Sequence, residues 1–234
     1  MVAAILFDVD GTIAETEEGH RQAWNAAFAA HGRGWTWDRA TYRTLLRVAG
    51  GPERLRAFAG PDAIGDEEIA RIHREKNALY RAAVAAGAVP LRPGVLALLN
   101  FARGAGIRLA IATTTSRGNV LALLEGAIGP HAPGWFEVMA CAEDAPAKKP
   151  DPQVYAVALE RLGLSAQDTV AIEDSRNGVL AASALGIPVV LSPSFYFDHE
   201  PREDAVLVLP DLAAMAPEDL IARLTEGQAS GTSR

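Results

Sequence analysis

Short apolar runs alternate with amphipathic stretches over most of the chain. The apolar runs have the length of buried strands and occupy residues 3–7, 107–112, 138–141, 169–172, 188–191 and 206–209. Stretches with helical periodicity separate them, at residues 94–103, 117–125, 152–162 and 177–185. This alternation predicts an α/β fold in which helices cover both faces of a parallel sheet.

The stretch from residue 16 to residue 89 breaks this alternation, since it contains no strand run and has helical spacing throughout. Thr16 is suited to cap its first helix. A later helix carries an apolar stripe, formed by Ile69, Ile72, Leu79 and Val84. We therefore expect an α/β core domain of residues 1–15 and 90–234, with a helical cap domain of residues 16–89 inserted after the first strand.

Three segments have distinctive composition. Residues 225–234 are polar and predict a frayed tail. Residues 195–198 are apolar for a late loop, which predicts packing against the core without an evident function. Trp35 and Trp37 near a turn of the cap predict packing between cap helices, since aromatic side chains are mostly buried.

Composition excludes several classes of protein. Of 234 residues, 49% are apolar and 22% charged, so the chain is globular rather than disordered. The net charge of −7 argues against general nucleic-acid binding, and no apolar run is long enough for a membrane span. The N-terminal residues lack a basic region and a cleavage site, so no signal peptide is expected. A single cysteine, Cys141, excludes a disulfide framework. We expect a soluble, cytoplasmic monomer without an obligate protein partner.

Polar side chains follow several of the predicted strands at the point where each strand ends. Asp8 and Asp10 follow the first strand, Thr113 the second, and Glu173 with Asp174 a later one. A further polar side chain, Lys149, precedes a helix. The carboxyl ends of parallel strands are where open α/β sheets bind ligands, so these side chains are expected to meet.

Several carboxylates at one sheet edge repel one another unless a hard cation binds, and Mg²⁺ prefers oxygen ligands. A lysine beside them would neutralise an anionic ligand such as phosphate. Each feature taken alone has a simpler interpretation. The Asp8–Thr12 loop could be a turn, Glu173–Ser175 a helix cap, and Lys149 a solvated lysine. Their common order along the strand ends favours a single site.

This pattern resembles the haloacid dehalogenase superfamily over nearly the whole chain. The matching pieces are the DxDGT loop at residues 8–12, Thr113, Lys149 and the Glu173–Asp174 pair, in that family's order. The helical insertion directly after the loop resembles the family's first class of cap. The resemblance implies a Rossmann-like core and an enzyme that transfers phosphoryl groups with Mg²⁺.

The resemblance also implies roles for the site residues. Asp8 is the expected nucleophile and forms an aspartyl-phosphate, while Asp10 is the expected general acid and base. Asp8, the backbone carbonyl of Asp10, and Asp174 would bind Mg²⁺, with Glu173 binding directly or through water. The transferring phosphoryl group would be held by Thr113 and Lys149. Halide-displacing relatives also use an aspartate nucleophile, but Asp10 and the Mg²⁺ carboxylates fit phosphoryl transfer.

Substrate selection is expected to come from the cap. Glu17 and His20 lie three residues apart and so share one helix face, although both could be exposed helix residues. Gly50 and Gly51 leave backbone N–H groups open to an anion. The candidate substrate-binding residues of the cap are Glu17, His20, Tyr42, Arg47, Gly50, Gly51, Arg54 and Lys76. Lys76 could equally be a solvated lysine, as most lysines are.

The run from Thr113 to Asn119 is rich in donors and opens a predicted helix, which makes it a candidate anion site. Its candidate substrate-binding residues are Thr115, Ser116, Arg117 and Asn119. Simple capping by Ser116 is the alternative, although capping needs a single hydroxyl. Basic and donor-rich groups in both places suggest a substrate with a second phosphate.

Within the superfamily the chain is similar to the β-phosphoglucomutase-like branch, through Thr16, His20 and Lys76-Asn77. It resembles most the CbbY-type sugar-bisphosphate phosphatases, through Glu17, Tyr42, Gly50-Gly51, Arg54 and the run at 113–119. That resemblance implies removal of the 1-phosphate of xylulose 1,5-bisphosphate, an inhibitory by-product of Rubisco, to give xylulose 5-phosphate.

Two other functions stay open on the sequence. A sugar-phosphate mutase would use the same catalytic residues, but the mutases carry an arginine in the cap loop where this chain has Gly51. A non-enzymatic phosphosugar-binding protein would not need the Asp8 nucleophile or the Asp10 acid–base group.

Overall fold

Six parallel strands form one sheet in the computed structural model, which describes residues 1–48, 50–60 and 63–231. The strands are β1 Ala4–Phe7, β2 Arg108–Ala112, β3 Val138–Ala140, β4 Thr169–Glu173, β5 Val189–Leu191 and β6 Leu207–Val208. Their order across the sheet is β3-β2-β1-β4-β5-β6. The six predicted strands and the parallel α/β fold are confirmed.

Among the described residues, four helices lie between β1 and the return to the sheet, as predicted for the insertion. They are α1 Thr16–Ala30, α2 Arg39–Leu45, α3 Gly51–Ala59 and α4 Asp66–Ala85. The remaining helices pack beside the sheet and are α5 Val95–Gly104, α6 Arg117–Ala127, α7 Gln153–Leu162, α8 Arg176–Ser183 and α9 Pro217–Gly231. Among the described residues, no helix is both long and apolar enough to cross a membrane.

The sheet is buried on both faces because side chains alternate along each strand. In β1, Ile5 and Phe7 join the cluster that includes side chains of α5, α6 and α9, while Ala4 and Leu6 join the cluster that includes side chains of α7 and α8. All four β1 side chains are fully buried. This explains why β1 is a continuous apolar run rather than an alternating one.

The insertion has its own core, made mostly of aromatic rings. Trp37 is fully buried, with its ring centroid 5.2 Å from Trp24 and 4.9 Å from Phe28. Ile69 and Ile72 of α4 close the same cluster. The predicted packing role of Trp37 is therefore confirmed, and the half-buried Trp35 packs edge-on against Phe28 of the same cluster.

The two chain crossings between the sheet and the insertion lie side by side. Ala14 forms isolated bridges with Asp10 and with Leu91. The segment that leaves the sheet and the segment that returns to it are therefore hydrogen-bonded to each other. Arg92 is buried and donates from Nη1 to the carbonyls of Gly11 and Ser192, at 2.5 and 2.6 Å. Its side chain thus fixes the crossings against the loop that follows β1.

Two predictions about helix ends are wrong. Thr16 is the first residue of α1 rather than its N-cap, which is Glu15. Residues 225–231 are not a frayed tail but the last turns of α9, because the buried Leu220 and Leu224, with Ile221 beside them, anchor that helix to the core. The predicted tail's last residues, 232–234, lie outside the described residues.

Replacing Gly94 by alanine is expected to destabilise the fold strongly. Gly94 has φ of +81°, and a Cβ there would lie 2.2 Å from the backbone carbonyl carbon of Leu212, which cannot move as a side chain could. We expect a loss of about 2 to 4 kcal/mol in the free energy of unfolding, measured by urea denaturation. Gly104→Ala, at a position with open space in the same helix, is the control. Equal stability of the two variants would contradict the prediction.

Candidate active site

The polar strand ends meet at one edge of the sheet. Asp8 directly follows β1 and Thr113 directly follows β2, while Glu173 ends β4 and Asp174 follows it. Since β1 lies between β2 and β4, these side chains are neighbours by the strand order alone. Above them lies a cavity of about 380 Å³, closed on its far side by the insertion. Lys149 lines the same cavity.

Lys149 is the cation at the floor of this cavity. Its ammonium group donates to Asp8 Oδ1 at 2.6 Å and to Glu173 Oε1 at 2.7 Å, and it also donates to the Ala112 carbonyl at 2.9 Å. Burial opposes the charge of Lys149, but the two carboxylates outweigh burial and raise its pKa. Lys149 is therefore a permanently charged group at the bottom of the site.

Asp8, Glu173 and Asp174 form a buried carboxylate cluster with ligand atoms within 4.8 Å of one another. Burial raises the pKa of Asp8 to about 7, with Lys149 opposing and Glu173 adding to the shift. Burial and the carboxylates of Asp8 and Glu173 also raise the pKa of Asp174, whose Oδ2 accepts a hydrogen bond from Ser194 at 2.6 Å. Lys149 contacts two of the three carboxylates, so the cluster carries surplus negative charge. Buried oxygen ligands with surplus charge fit a hard divalent cation such as Mg²⁺.

Asp174 has room in the cluster because Gly11 has no side chain. Gly11 has φ of +82°, and a Cβ on it would lie 2.0 Å from Asp174 Oδ2. The glycine of the DxDGT loop therefore permits the positive φ of the turn and leaves space for the Asp174 carboxylate. Gly178 does the same for the neighbouring carboxylate, because a Cβ there would lie 1.9 Å from Glu173 Oε2.

Asp10 faces the insertion rather than the carboxylate cluster. Its Oδ1 lies 3.1 Å from His20 Nε2, and its Oδ2 accepts a hydrogen bond from the Thr115 hydroxyl. Burial alone would raise the pKa of Asp10, but His20 and the hydroxyl donors outweigh it and lower the pKa. The side chain of Asp10 is therefore ionised and held in one orientation.

Lys76 determines which nitrogen of His20 carries the hydrogen. The Lys76 ammonium lies 2.9 Å from His20 Nδ1. Burial lowers the pKa of Lys76 to about 8 against the opposing effect of Asp10 and Glu17, so it still donates near neutral pH. An ammonium group cannot accept a hydrogen bond, so Nδ1 accepts and Nε2–H donates to Asp10. Burial, together with Lys76, lowers the pKa of His20, which keeps the ring neutral.

Glu17, Tyr42 and Arg54 form a second polar group on the insertion. The Tyr42 hydroxyl donates to Glu17 Oε2 at 2.7 Å, and Arg54 Nη1 donates to the Tyr42 oxygen at 3.3 Å. Tyr42 is fully buried beneath Glu17, so it orients that carboxylate without lining the cavity. Glu17 and Arg54 present an acceptor and a donor to whatever occupies the cavity.

The loop at Gly50 and Gly51 packs closely against His73, a residue that was not predicted from the sequence to belong to the site. A Cβ on Gly51 would lie 2.6 Å from His73 Nε2, and the His73 ring stacks on Trp24 with centroids 5.8 Å apart. Burial and the neighbouring Lys76 and His20 lower the pKa of His73 to about 4. The imidazole is therefore neutral and fills the space over Gly51.

Most of the predicted substrate-binding residues do line the cavity. They are Glu17, His20, Gly50, Gly51, Arg54, Lys76, Thr115, Ser116 and Asn119. Glu17, His20 and Lys76 are between 5 and 8% exposed, so the alternative that they are solvated helix residues is wrong. Asn119 also receives a hydrogen bond from Arg81 and donates to Asn77, which links α6 to α4.

Besides Tyr42, two more predicted binding residues do not reach the cavity. Arg47 is exposed, because its neighbour Leu46 takes the buried position. The Arg117 guanidinium forms an ion pair with Asp144 at 2.6 Å and donates to the Met139 carbonyl. The Arg117 backbone N–H at the start of α6 donates to the Glu143 carboxylate, so an acidic side chain already takes the predicted anion position.

Other residues that shape the site gave no signal in the sequence. Tyr155 lies in an ordinary amphipathic helix, yet its hydroxyl donates to Glu173 Oε1 at 2.5 Å. Ser194 hydrogen-bonds Asp174 from a late loop. Further residues of the cavity lining that were not selected are Trp24, Glu53, His73, Lys148 and Phe197. Their positions depend on how distant segments pack, which a local motif does not encode.

Comparison with known proteins places this geometry among related chains. A family model described as a haloacid dehalogenase-like hydrolase matches residues 2–186. CbbY of Rhodobacter capsulatus is 46% identical over 220 residues, covering 92% of this chain and 96% of that protein. The plasmid CbbY of Cupriavidus necator is 48% identical over 216 residues, covering 89% of this chain and 85% of that protein.

A solved structure of a CbbY protein is also similar to this chain in its fold. It is an aspartate-to-asparagine mutant of CbbY from Rhodobacter sphaeroides in complex with xylulose 1,5-bisphosphate. The two chains share 45% identity and a TM-score of 0.86, over 91% of this chain and 96% of that one. Coverage this high includes both the sheet and the helical insertion.

Proposed function

Because the chain belongs to the haloacid dehalogenase-like hydrolases, we propose that it is a Mg²⁺-dependent phosphatase that removes the 1-phosphate of a sugar bisphosphate. The chain is a phosphatase of that family. Xylulose 1,5-bisphosphate is the substrate we propose, with xylulose 5-phosphate as the product, since a related CbbY was solved with that sugar. The observation that carries the proposal is Asp8 beside Lys149, with Asp10 held above them by His20.

In the first half of the reaction, an Asp8 carboxylate oxygen bonds to phosphorus as the bond from phosphorus to the sugar oxygen breaks. The departing oxygen takes a proton from Asp10. Asp10 is ionised before substrate binds. An adjacent phosphate dianion raises its pKa because like charges disfavour ionisation, so Asp10 takes up a proton from solvent as the substrate enters. The approach of the substrate thus prepares Asp10 as an acid.

Lys149 and Thr113 hold the phosphoryl oxygens during transfer. Lys149 offsets the charge of Asp8 and of the phosphate, which would otherwise repel each other. When bound, Mg²⁺ supplies further charge neutralisation, and its ligands would be Asp8, the Asp10 carbonyl, Asp174 and Glu173, the last directly or through water.

In the second half, a water molecule attacks phosphorus and the bond to Asp8 breaks, which releases inorganic phosphate. Asp10, now ionised, takes the proton from that water. The Thr115 hydroxyl and His20 keep the Asp10 carboxylate aimed at the phosphoryl group through both halves.

The insertion supplies the contacts that select the sugar. Glu17 is proposed to accept from a sugar hydroxyl, and Arg54 to neutralise a second phosphate. Lys76, Ser116 and Asn119 line the same cavity with donors, and Gly50 and Gly51 add backbone N–H groups. A mutase is disfavoured, because His73 occupies the space that a side chain at position 51 would need.

The same proposal covers the wider organisation of the protein. We assign residues 16–89 to a cap and residues 1–15 and 90–234 to a core, since α1 to α4 separate β1 from the rest of the sheet. The link to Rubisco rests on the resemblance to CbbY proteins, and the cytoplasmic location and the monomeric state are proposed from the sequence.

Phosphate release from a small panel tests the proposal. The compounds are xylulose 1,5-bisphosphate, ribulose 1,5-bisphosphate, fructose 1,6-bisphosphate and β-glucose 1-phosphate, each assayed with Mg²⁺ and with EDTA. We expect Mg²⁺-dependent phosphate release that is fastest from xylulose 1,5-bisphosphate. Conversion of β-glucose 1-phosphate to glucose 6-phosphate without free phosphate would mean a mutase and would overturn the proposal.

Replacing Gly178 by alanine is expected to lower kcat/KM about a hundredfold, because displacing a catalytic carboxylate by about 1 Å has that effect. The new Cβ would lie 1.9 Å from the Glu173 carboxylate and push it from Lys149 and Tyr155. Gly118→Ala is the matched control, since it also lies in the first turn of a helix that follows a site loop but has open space. Equal activity of the two variants in the phosphate assay would show that Glu173 needs no fixed position.

A further inference from the structure

A short segment of the core crosses to the insertion and contacts it at several points. This crossing segment, residues 194–198, follows β5 and lies far in sequence from α1 and α2. No function is predicted for residues 195–198 from their sequence. Its contacts nevertheless join the two parts of the molecule on the side where the cavity opens, because Phe197 lines that cavity.

Tyr196 is the deepest of these contacts. It is 2% exposed and packs in the aromatic cluster of the insertion, with its ring edge-on to Tyr42 at a centroid distance of 5.6 Å. Its hydroxyl donates to Glu18 Oε2 of α1 at 2.6 Å. A side chain of the core is therefore buried within the insertion rather than beneath it.

The hydrogen bond from Tyr196 to Glu18 joins a neutral donor to a charged acceptor. Hydrogen bonding by Arg21, together with that of Tyr196, lowers the pKa of Glu18 to about 2, so its carboxylate is ionised. Burial and the adjacent Glu18 raise the pKa of Tyr196, so its hydroxyl stays protonated. Hydrogen bonds to charged groups are stronger than neutral ones.

Phe195 makes a second contact with the insertion, through the arginines of α2. The Arg43 guanidinium donates to the Phe195 carbonyl at 2.6 Å and lies 5.2 Å from the centre of its ring. Arg39 lies 5.8 Å from the same ring, and Asp198 pairs with Arg43 at 3.5 Å. These contacts are more exposed than that of Tyr196, and they help to orient the crossing segment on the insertion.

The other end of the crossing segment contacts the catalytic floor. The Ser194 hydroxyl donates to Asp174, and the carbonyl of the preceding Pro193 accepts from the buried Arg92 at 3.0 Å. Arg92 also holds the Gly11 carbonyl of the DxDGT loop. The position of Tyr196 is therefore fixed relative to the carboxylate cluster by the residues immediately before it.

We propose that Tyr196 is a positioning residue that holds the insertion closed over the catalytic floor. It acts through Glu18 and Tyr42 without touching the substrate, and the inference rests on the proposed function in that the substrate must be a sugar phosphate that contacts the insertion. Tyr42 in turn orients Glu17, which faces the cavity. Closure and the placement of Glu17 thus depend on the same side chain.

Loss of this contact should affect large and small substrates differently. A sugar phosphate needs the insertion closed, so its apparent KM rises as the closed fraction falls. Acetyl phosphate carries one phosphoryl group and no sugar, so its KM depends on the catalytic floor and not on Glu17 or Arg54 of the insertion. A general loss of structure would lower the turnover of both compounds together.

The experiment compares Tyr196→Phe with the wild-type protein on the best sugar phosphate of the panel and on acetyl phosphate. Phenylalanine keeps the ring in the cluster and removes the hydroxyl alone. We expect KM for the sugar phosphate to rise about tenfold, the effect of one hydrogen bond to a charged group, with KM for acetyl phosphate unchanged. Thr169→Val is the control, because it removes a buried hydroxyl at the start of β4, away from the insertion.

A double-mutant cycle with Glu18→Gln identifies the partner. If Tyr196 acts through Glu18, adding Glu18→Gln to Tyr196→Phe should raise KM less than Glu18→Gln does in the wild-type protein. The rise that remains comes from the other contacts of Glu18. Backbone amide exchange in α2 should quicken in Tyr196→Phe while exchange in the sheet does not. Equal losses on both substrates, additive effects of the two substitutions, or unchanged exchange in α2 would each overturn the proposal. If the wild-type protein hydrolyses another sugar phosphate of the panel but not xylulose 1,5-bisphosphate, the proposed substrate is wrong. The Tyr196 comparison can then still be made on the sugar phosphate that is hydrolysed.

Discussion

Replacing Asp8 by asparagine is expected to abolish turnover, with kcat falling by at least about 10⁴-fold, as for other enzymes that lose their nucleophile. The amide is a poor nucleophile and cannot form the aspartyl-phosphate. Its shape matches the carboxylate, so the Lys149 ammonium still has an oxygen to contact. The measurement is steady-state phosphate release, with xylulose 1,5-bisphosphate binding followed by calorimetry.

The same variant should be at least as stable as the wild-type protein. Burial raises the pKa of Asp8 to about 7, which means that its ionised form is disfavoured by the fold near neutral pH. Removing that charge relieves the cost, so Tm should stay equal or rise. A stable variant that still releases phosphate at the wild-type rate would show that Asp8 is not the nucleophile.

Replacing Lys149 by methionine is expected to lower kcat/KM by about 10³-fold, the effect of removing a group that stabilises transition-state charge. Without the ammonium group, Asp8 and Glu173 lose their shared partner and remain buried as two adjacent carboxylates. Because unpaired buried charges are costly, Tm should fall as well. Phosphate release and thermal unfolding are the two measurements.

Lys148 provides the control for Lys149. It lines the same cavity and is adjacent in sequence, but it is half-buried rather than buried. Lys148→Met should lose at least about ten times less activity than Lys149→Met and keep the wild-type Tm, since exposed charges contribute little to stability. Equal losses in the two variants would contradict the role given to the Lys149 ion pairs.

The floor of the site could be predicted from the sequence because strand ends determine it. Asp8, Thr113 and Asp174 each follow a short apolar run, and parallel strands bring such positions together whatever the rest of the fold does. The membership of the haloacid dehalogenase-like family, predicted from the same residues, is confirmed by the family model.

The upper part of the site was harder to predict, because helical residues of one type occur both in cores and on surfaces. Lys76 would be solvated on most helices, and only the approach of α1 buries it against His20. Arg117 was misassigned because Glu143, from a different loop, takes the start of α6. The last turns of α9 were not predicted because the apolar residues that anchor the helix, Leu220, Ile221 and Leu224, precede the polar residues 225–231.

Phosphorus NMR of xylulose 1,5-bisphosphate during turnover tests the central claim most directly, because the two phosphates give separate resonances. We expect the 1-phosphate signal to decay with Mg²⁺ present, inorganic phosphate to appear in equal amount, and the 5-phosphate signal to be retained. Loss of the 5-phosphate, or persistence of both sugar phosphates under the same conditions, would contradict it.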